Sequence, residues 1–275
     1  MISPASDRPR PPADWNYFMD HADEARRLAA KVDAPGWVER ELRGELAGAG
    51  GAPRVLDLGC GPGVLAAAAA RAWPRAHVTG LDLSRRRLLH EPGRGLAFVQ
   101  GRAEALPFAD NTFDVVWCRF LLQYLPDKRA ALREMHRVLC PRGMVLLQDL
   151  DGQLVWQHPM PAALRGELDV VLEHLAASGF DPHVGRKLFT MCQDAGLVAP
   201  EVRIEPYHVL AGSVTESERD AWQAKLRIAQ AAVAAAFAGD ATRAAAFCAA
   251  FERNLFAAQT LVYSVLFTVR ARKRG

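Results

Sequence analysis

Long apolar runs are missing from this 275-residue sequence. No stretch approaches the roughly 18 uninterrupted apolar residues that would cross a bilayer, so no membrane-spanning helix is expected. The opening segment, MISPASDRPRPPADW, lacks the apolar core of a secretory signal. Lysine is scarce: five of the 34 basic residues are Lys, and the net charge is only +3. Such a small excess implies no nucleic-acid partner unless it gathers on one face, and no basic cluster interleaved with aromatics is visible. The five cysteines, Cys60, Cys118, Cys140, Cys192 and Cys248, are odd in number and include no CxxC pair. That argues against a disulfide framework and fits reduced thiols in the cytoplasm. Cys and His at short spacing are also wanting, so no metal site is expected.

What remains is ordinary for a folded, soluble protein: 50% apolar and 24% charged residues. The length suits one large domain, or a domain with a cap. Four prolines in the first 12 residues mark a mobile tail over 1–14. Residues 15–50 read as an N-terminal helical segment, interrupted at Asp33-Ala34-Pro35-Gly36 and closed by a glycine-rich link. Short strands and helices then alternate. Strands are expected at Arg54–Leu58, His77–Leu81, Leu96–Val99, Thr112–Cys118 and Met144–Gln148. Helices are expected at Val64–Trp73, from Ser84 to His90, and at Asp127–Leu139. This alternation predicts a parallel sheet with helices on both faces. Beyond residue 150 the pattern turns helical, near 159–180, at Gly185–Ala195 and over 215–258. Strands Val202–Val209 and Thr260–Arg270 remain, and pair antiparallel at the sheet edge. The chain is thus read as α/β, with a seven-stranded, mostly parallel sheet and a helical cap inserted late.

The strongest local signal is Asp57-Leu58-Gly59-Cys60-Gly61-Pro62-Gly63. An apolar strand stops, and glycines recur at alternate positions. They permit a sharp turn and let a ligand touch the backbone. The next helix aims its first amides at the same place. Asp82 ends the next strand, 23 residues after Gly59, where an acid accepts ribose hydroxyls. A P-loop is excluded, because no Gly-Lys-Ser/Thr follows.

The D-x-G-x-G-x-G arrangement resembles that of class I S-adenosylmethionine-dependent methyltransferases of the small-molecule type. Gly80-Leu81-Asp82-Leu83-Ser84, Ala103-Glu104-Ala105-Leu106-Pro107-Phe108 and Phe113-Asp114-Val115-Val116 extend the likeness. So do Leu121–Asp127 and Arg137–Gly143. Together these motifs cover about residues 53–150. The resemblance implies a Rossmann-like fold, S-adenosyl-L-methionine as cofactor, and a cofactor set of Asp57, Gly59, Cys60, Gly61, Gly63, Asp82, Leu83, Ala103, Glu104 and Arg119. It also implies a lid role for residues 15–50, with Tyr17 and Arg27 closing over the cofactor. The sequence departs from the family at Arg102, where relatives often carry an Asp that accepts from adenine, since guanidinium cannot accept. Tyr124 stands where many relatives have His.

Methyl transfer asks the protein to hold an acceptor in line and exclude water. His158, Tyr124 and Asp151 are the candidate catalytic residues. His183 and His208 are weaker candidates, and Asp149 reads as a solvated turn residue. Val170, Val171, Leu175, Phe180, Phe189, Met191, Trp222, Leu226, Phe237, Phe247, Phe251 and Phe256 would furnish an apolar cap suited to a small acceptor. The function expected is O-methylation of a small molecule in secondary metabolism. Two alternatives stand beside it. One is an RNA or protein acceptor, and the other a methyltransferase fold that binds cofactor without transferring methyl. A homodimer through the inserted helices is compatible with the sequence.

Overall fold

The computed structural model describes residue 29 and residues 32–48, 51–84, 92–153, 155–212 and 214–275. Helix α1 (Ala34–Gly48) is followed by β1 (Arg54–Leu58), α2 (Val64–Ala72), β2 (His77–Asp82), β3 (Leu96–Gln100) and β4 (Phe113–Arg119). Next come a 3-10 turn (Leu122–Tyr124), α3 (Lys128–Val138), β5 (Leu139–Asp151) and the short β6 (Gln157–His158). The chain continues through α4 (Ala162–Ala177), α5 (Leu188–Asp194), β7 (Val198–Ala211), α6 (Glu216–Ala236), α7 (Ala241–Leu255) and β8 (Leu261–Arg272). The tail read over 1–14, Tyr17, Arg27 and the body of the helix read from Ser84 to His90 lie outside the described residues.

One sheet organises the molecule, in the order β3-β2-β1-β4-β5-β8, with β6 and β7 both pairing β8. Strands β1 to β5 run parallel, and β8 is antiparallel to β5, β6 and β7. The expected antiparallel edge pair is therefore β7 with β8. The described strands number eight rather than seven, because the segment at Gln157–His158, read as loop, pairs with Val262 and Leu261. Strand β5 is longer than expected at both ends. Leu139 already has extended backbone, so α3 stops at Val138 and the chain enters the sheet directly. At the other end Asp149 and Asp151 belong to the strand and are each 1% exposed, which overturns the reading of Asp149 as a solvated turn residue.

Side chains alternate across the sheet, as the pleat requires. Val55, Val115, Trp117, Met144 and Leu146 face α1 and α2, against Trp37, Leu42, Leu65 and Ala69. Leu56, Val116, Cys118, Val145 and Leu147 face the other way, against Leu132 and Met135 of α3 and Leu188 and Cys192 of α5. Almost every sheet position in these central strands is buried, which explains their continuous apolar runs. A third cluster belongs to the cap. Leu164, Leu168 and Val171 of α4 pack with Trp222 and Val233 of α6 and with Phe247 and Phe251 of α7.

Helix α1 begins where the sequence breaks, because the Asp33 carboxylate accepts from the Gly36 amide at 3.1 Å. Its Trp37 donates to Gln148 Oε1 at 2.6 Å, and its ring meets Trp117 edge-on at 5.6 Å. Glu41, fully buried, accepts from Arg270 Nη2 at 2.6 Å, from Arg40 Nε at 2.9 Å and from Arg203. Arg272 adds a bond to Glu45. Three guanidinium groups from β7 and β8 thus fasten α1, and Arg40 of the helix itself joins the cluster.

Removing one partner of a buried ion cluster is costly, but Arg203 and Arg270 keep 36% and 30% of their side-chain exposure and rehydrate. Glu41→Ala is therefore expected to lower unfolding free energy by about 1–3 kcal/mol in a urea titration. An unchanged midpoint would show that the cluster contributes no net stability.

Candidate functional site

At the carboxyl ends of β1, β2 and β4 the chain opens into a cleft, at the point where strand order reverses between β1 and β4. Its free space is about 1510 Å3, open mouth included. One half is built by the turn after β1. Gly59, Gly61 and Gly63 have φ of 76°, 51° and 77°, left-handed backbone that side-chained residues rarely adopt. The Gly59 and Cys60 amides both donate to Leu81 O, at 2.8 and 3.0 Å, which stitches the turn to β2. Asp82 completes the stitch: Oδ2 accepts from the Gly61 amide at 2.8 Å and Oδ1 from the Ser84 amide at 2.9 Å. A Cβ on Gly59 would meet Leu121 Cδ2 at 2.8 Å, whereas a Cβ on Gly61 would meet nothing within 4 Å.

Asp57 is 3% exposed and lines the cleft. Burial pushes its carboxyl up to about 7, and the nearby Asp82 adds to that effect. Its Oδ2 is buried with no hydrogen-bond partner within the chain. Arg102 pairs with Glu104 at 3.9 Å, and both line the wall beside Ala103.

The other half is formed by the loop after β4, the end of β5, β7 and α6. Phe120 has φ of 56°, a strained value for an aromatic residue, and its ring lies 4.0 Å from the Arg119 guanidinium and 5.6 Å from Tyr207. Tyr207 and His208 reach the cleft where the β7–β8 register shifts, and His208 too has positive φ, at 48°. His208 Nδ1 lies 3.3 Å from Ser264 Oγ. Strain gathered at a cleft is a mark of functional geometry. Gln123, Tyr124, Leu150, Gln153, Trp222 and Lys225 complete this half.

The structure brings Asp57, Gly59, Cys60, Gly61, Asp82, Leu83, Ala103, Glu104 and Arg119 together in the lining of one cleft. Gly63 stands apart, as the left-handed cap of α2 rather than a lining residue. Of the candidate catalytic residues, Tyr124 lines the cleft and also packs on Phe180 at 5.6 Å. The other two do not line it. His158 is exposed on β6. Asp151 is buried in a clamp, accepting from Arg186 Nη2 at 2.6 Å and Nε at 2.8 Å, with His183 Nδ1 at 3.2 Å. Burial would raise its carboxyl, yet the Arg186 and His183 bonds hold it below the usual range. The aromatic cap residues serve mainly their own cluster; Trp222 alone among them lines the cleft, Phe189 is exposed, and Met191 packs under the sheet. Phe120, Gln153, Tyr207 and Lys225 carried no sequence signal. Among the described residues no group of three or more His, Cys, Asp or Glu is placed to hold a metal.

Residues 56–147 match the family model described as a methyltransferase domain. The match takes in about a third of the chain, which over this segment is similar to methyltransferases. The chain is 41% identical over 128 residues to the ubiquinone/menaquinone biosynthesis C-methyltransferase UbiE of Desulfotalea psychrophila, covering 44% of this chain and 52% of that protein. It is 39% identical over 114 residues to a malonyl-[acyl-carrier protein] O-methyltransferase of Erwinia billingiae, covering 40% and 43%. The chain thus spans about half the length of these curated relatives. Haemonchus contortus phosphoethanolamine N-methyltransferase 2, solved in complex with S-adenosyl-L-methionine, superposes with a TM-score of 0.54 at 17% identity, over 96% of this chain and 61% of that one. That likeness concerns the fold. The matched segment of the methyltransferase domain holds the glycine turn, Asp82, Glu104 and Arg119, while β7 and α6 lie outside it.

Two outcomes follow from this geometry. Gly59→Ala, strained in backbone and clashing with Leu121, is expected to lose more stability than Gly61→Ala, whose strain alone costs about 1–2 kcal/mol. Thermal melts of both variants decide the order, and equal losses would contradict it. Asp57 and Asp149 are both held near 7 by burial, against an ordinary 3.8. The folded chain therefore retains protons that the unfolded chain releases above about 4. Their contribution to stability falls as pH rises from about 4 through about 7, and Asp57→Asn should flatten that fall in urea titrations across this range. An identical pH profile for the variant would refute the buried-carboxyl reading.

Proposed function

We propose that this chain transfers a methyl group from S-adenosyl-L-methionine to a small-molecule acceptor, with oxygen as the receiving atom and a role in secondary metabolism. The reading is carried by the glycine turn stitched to Asp82 beside a buried Asp57 oxygen without a partner. Those groups fit the cofactor. Asp82 keeps lone pairs for ribose hydroxyls, the turn leaves open space at Gly61, and Asp57 Oδ2 offers an acceptor to a cationic amine. Ala103 and Glu104 border the adenine, and the Arg102 ion pair fixes the Glu104 carboxylate. The bound cofactor supplies an activated methyl on a sulfonium, so the reaction is an in-line displacement in which the sulfur–carbon bond breaks as the oxygen–carbon bond forms.

The residues of the chain then have three tasks: to hold the acceptor in line, to exclude water, and to take the hydroxyl proton. Phe120, Tyr124 and Trp222 supply apolar walls. His208, steadied by Ser264, is the side chain of this half best suited to general-base work, and it takes that role in place of His158 and Asp151. Val32, just before α1, lines the cleft. No described helix is long and apolar enough to cross a membrane, and the five cysteines are free, which supports a cytoplasmic setting.

Calorimetric titration with S-adenosyl-L-methionine tests the reading. The intact chain should bind, and Asp82→Ala should weaken binding by about 10- to 100-fold, the worth of hydrogen bonds to a charged group. Asp82→Asn, which retains part of the stitch, should lie between. No binding by the folded, intact chain would remove the methyltransferase reading and leave a fold used for another purpose.

A further inference from the structure

The two halves of the cleft differ in charge. Every carboxylate of its wall lies on the glycine-turn side: Asp57, Asp82 and Glu104. The opposite half presents Arg119 from the end of β4, Lys225 from α6 and the imidazole of His208, and no carboxylate among the described residues. Arg119 Nε is sealed from solvent and has no hydrogen-bond acceptor among the described residues, while Tyr207 is a hydrogen-bond partner of the same guanidinium. Its guanidinium is positioned by the ring of Phe120 at 4.0 Å, on strained backbone. Lys225 Nζ stands 5.0 Å from the centre of the Trp222 ring, on the cap side of the same space. Gln123 and Gln153 each bring a buried side-chain oxygen without a donor to this half. The aromatic rings Phe120, Tyr124, Tyr207 and Trp222 surround these polar groups.

Burying an unsatisfied guanidinium nitrogen is expensive, and a planar carboxylate satisfies it in the most favourable geometry. We propose that the acceptor is an aromatic carboxylate, its ring between the cleft's aromatic walls and its carboxylate held by Arg119 and Lys225. The inference rests on the methyltransferase reading and narrows its acceptor class. Gln123 and Gln153 then receive hydrogen bonds from a hydroxyl or amine on the ring, and His208 faces the group that is methylated. Neutral analogues leave Arg119 Nε without an anionic acceptor and bind poorly. Asp57 and Asp149 also lie near enough to support the charge of Arg119, but burial raises both carboxyls, so they match it only in part near neutral pH.

The test begins with S-adenosylhomocysteine alone. If it does not bind, the methyltransferase reading itself fails. With that complex formed, calorimetry compares benzoate, 3-hydroxybenzoate, 4-hydroxybenzoate and 4-hydroxycinnamate with their amides, and inorganic phosphate runs as a separate arm. At least one carboxylate should bind about 10-fold or more tightly than its amide, as expected when a charged hydrogen bond is lost. Lys225→Gln should erase that preference while S-adenosylhomocysteine binds as before, and Arg119→Gln should erase it as well. Lys225 is on a cap helix, so its variant remains informative should Arg119→Gln fail to fold. Amides that bind as well as the acids, or a panel in which no acid binds, would overturn the proposal. Phosphate binding in place of every acid would also overturn it, in favour of a phosphorylated acceptor. A loss of S-adenosylhomocysteine affinity in folded Arg119→Gln would assign that guanidinium to the cofactor's own carboxylate and equally overturn it.

Discussion

The hydrogen bond from the Gly61 amide to Asp82 is the contact on which this architecture turns. It joins the turn after β1 to the end of β2, and the Gly59 and Cys60 amides reinforce it through Leu81 O. With these bonds made, the left-handed turn is held open and the first amides of α2 are presented to the cleft. Without them the turn would have little reason to keep three positive φ values in five residues. The same carboxylate that braces the turn stands ready to accept from a ligand. Stability and binding thus share one side chain.

Legibility followed sequence distance. The glycine turn, Asp82 and the Ala103–Glu104 segment are local features, each written in a few consecutive residues at the end of a strand. The structure gathers them as expected. The acceptor half was mostly illegible, because it depends on partners far apart in the chain. Asp151 looked available until Arg186 and His183, more than thirty residues on, proved to hold it. His158 looked like loop until Leu261 paired with it. Tyr207 and His208 reach the cleft through a register shift in β7, and no residue type announces such a shift. Helix boundaries were closer to expectation, and in the structure Asp127, Thr215 and Asp240 cap their helices with side chains that accept amide bonds.

The cap aromatics teach a related lesson. Their number suggested a rich apolar binding wall, but α4, α6 and α7 lie off the main sheet core and must bury themselves against one another. Phe237, Phe247 and Phe251 serve that purpose. The cleft receives only what the cap can spare, Ala221, Trp222 and Lys225 of α6. Recognition of the acceptor therefore rests on few side chains, and the cap can vary widely in composition without altering them.

The place of β8 in the sheet has a consequence for the order in which the molecule is completed. This strand follows every other strand in sequence, yet it lies between β5 and β7. Until it is made, β7 has no partner in the sheet and the arginines that fasten α1 have nowhere to stand. A growing chain can close the turn that meets the nucleoside long before Tyr207 and His208 take their positions. The two halves of the cleft are thus separate in time as well as in charge, and the half that chooses the acceptor is finished last.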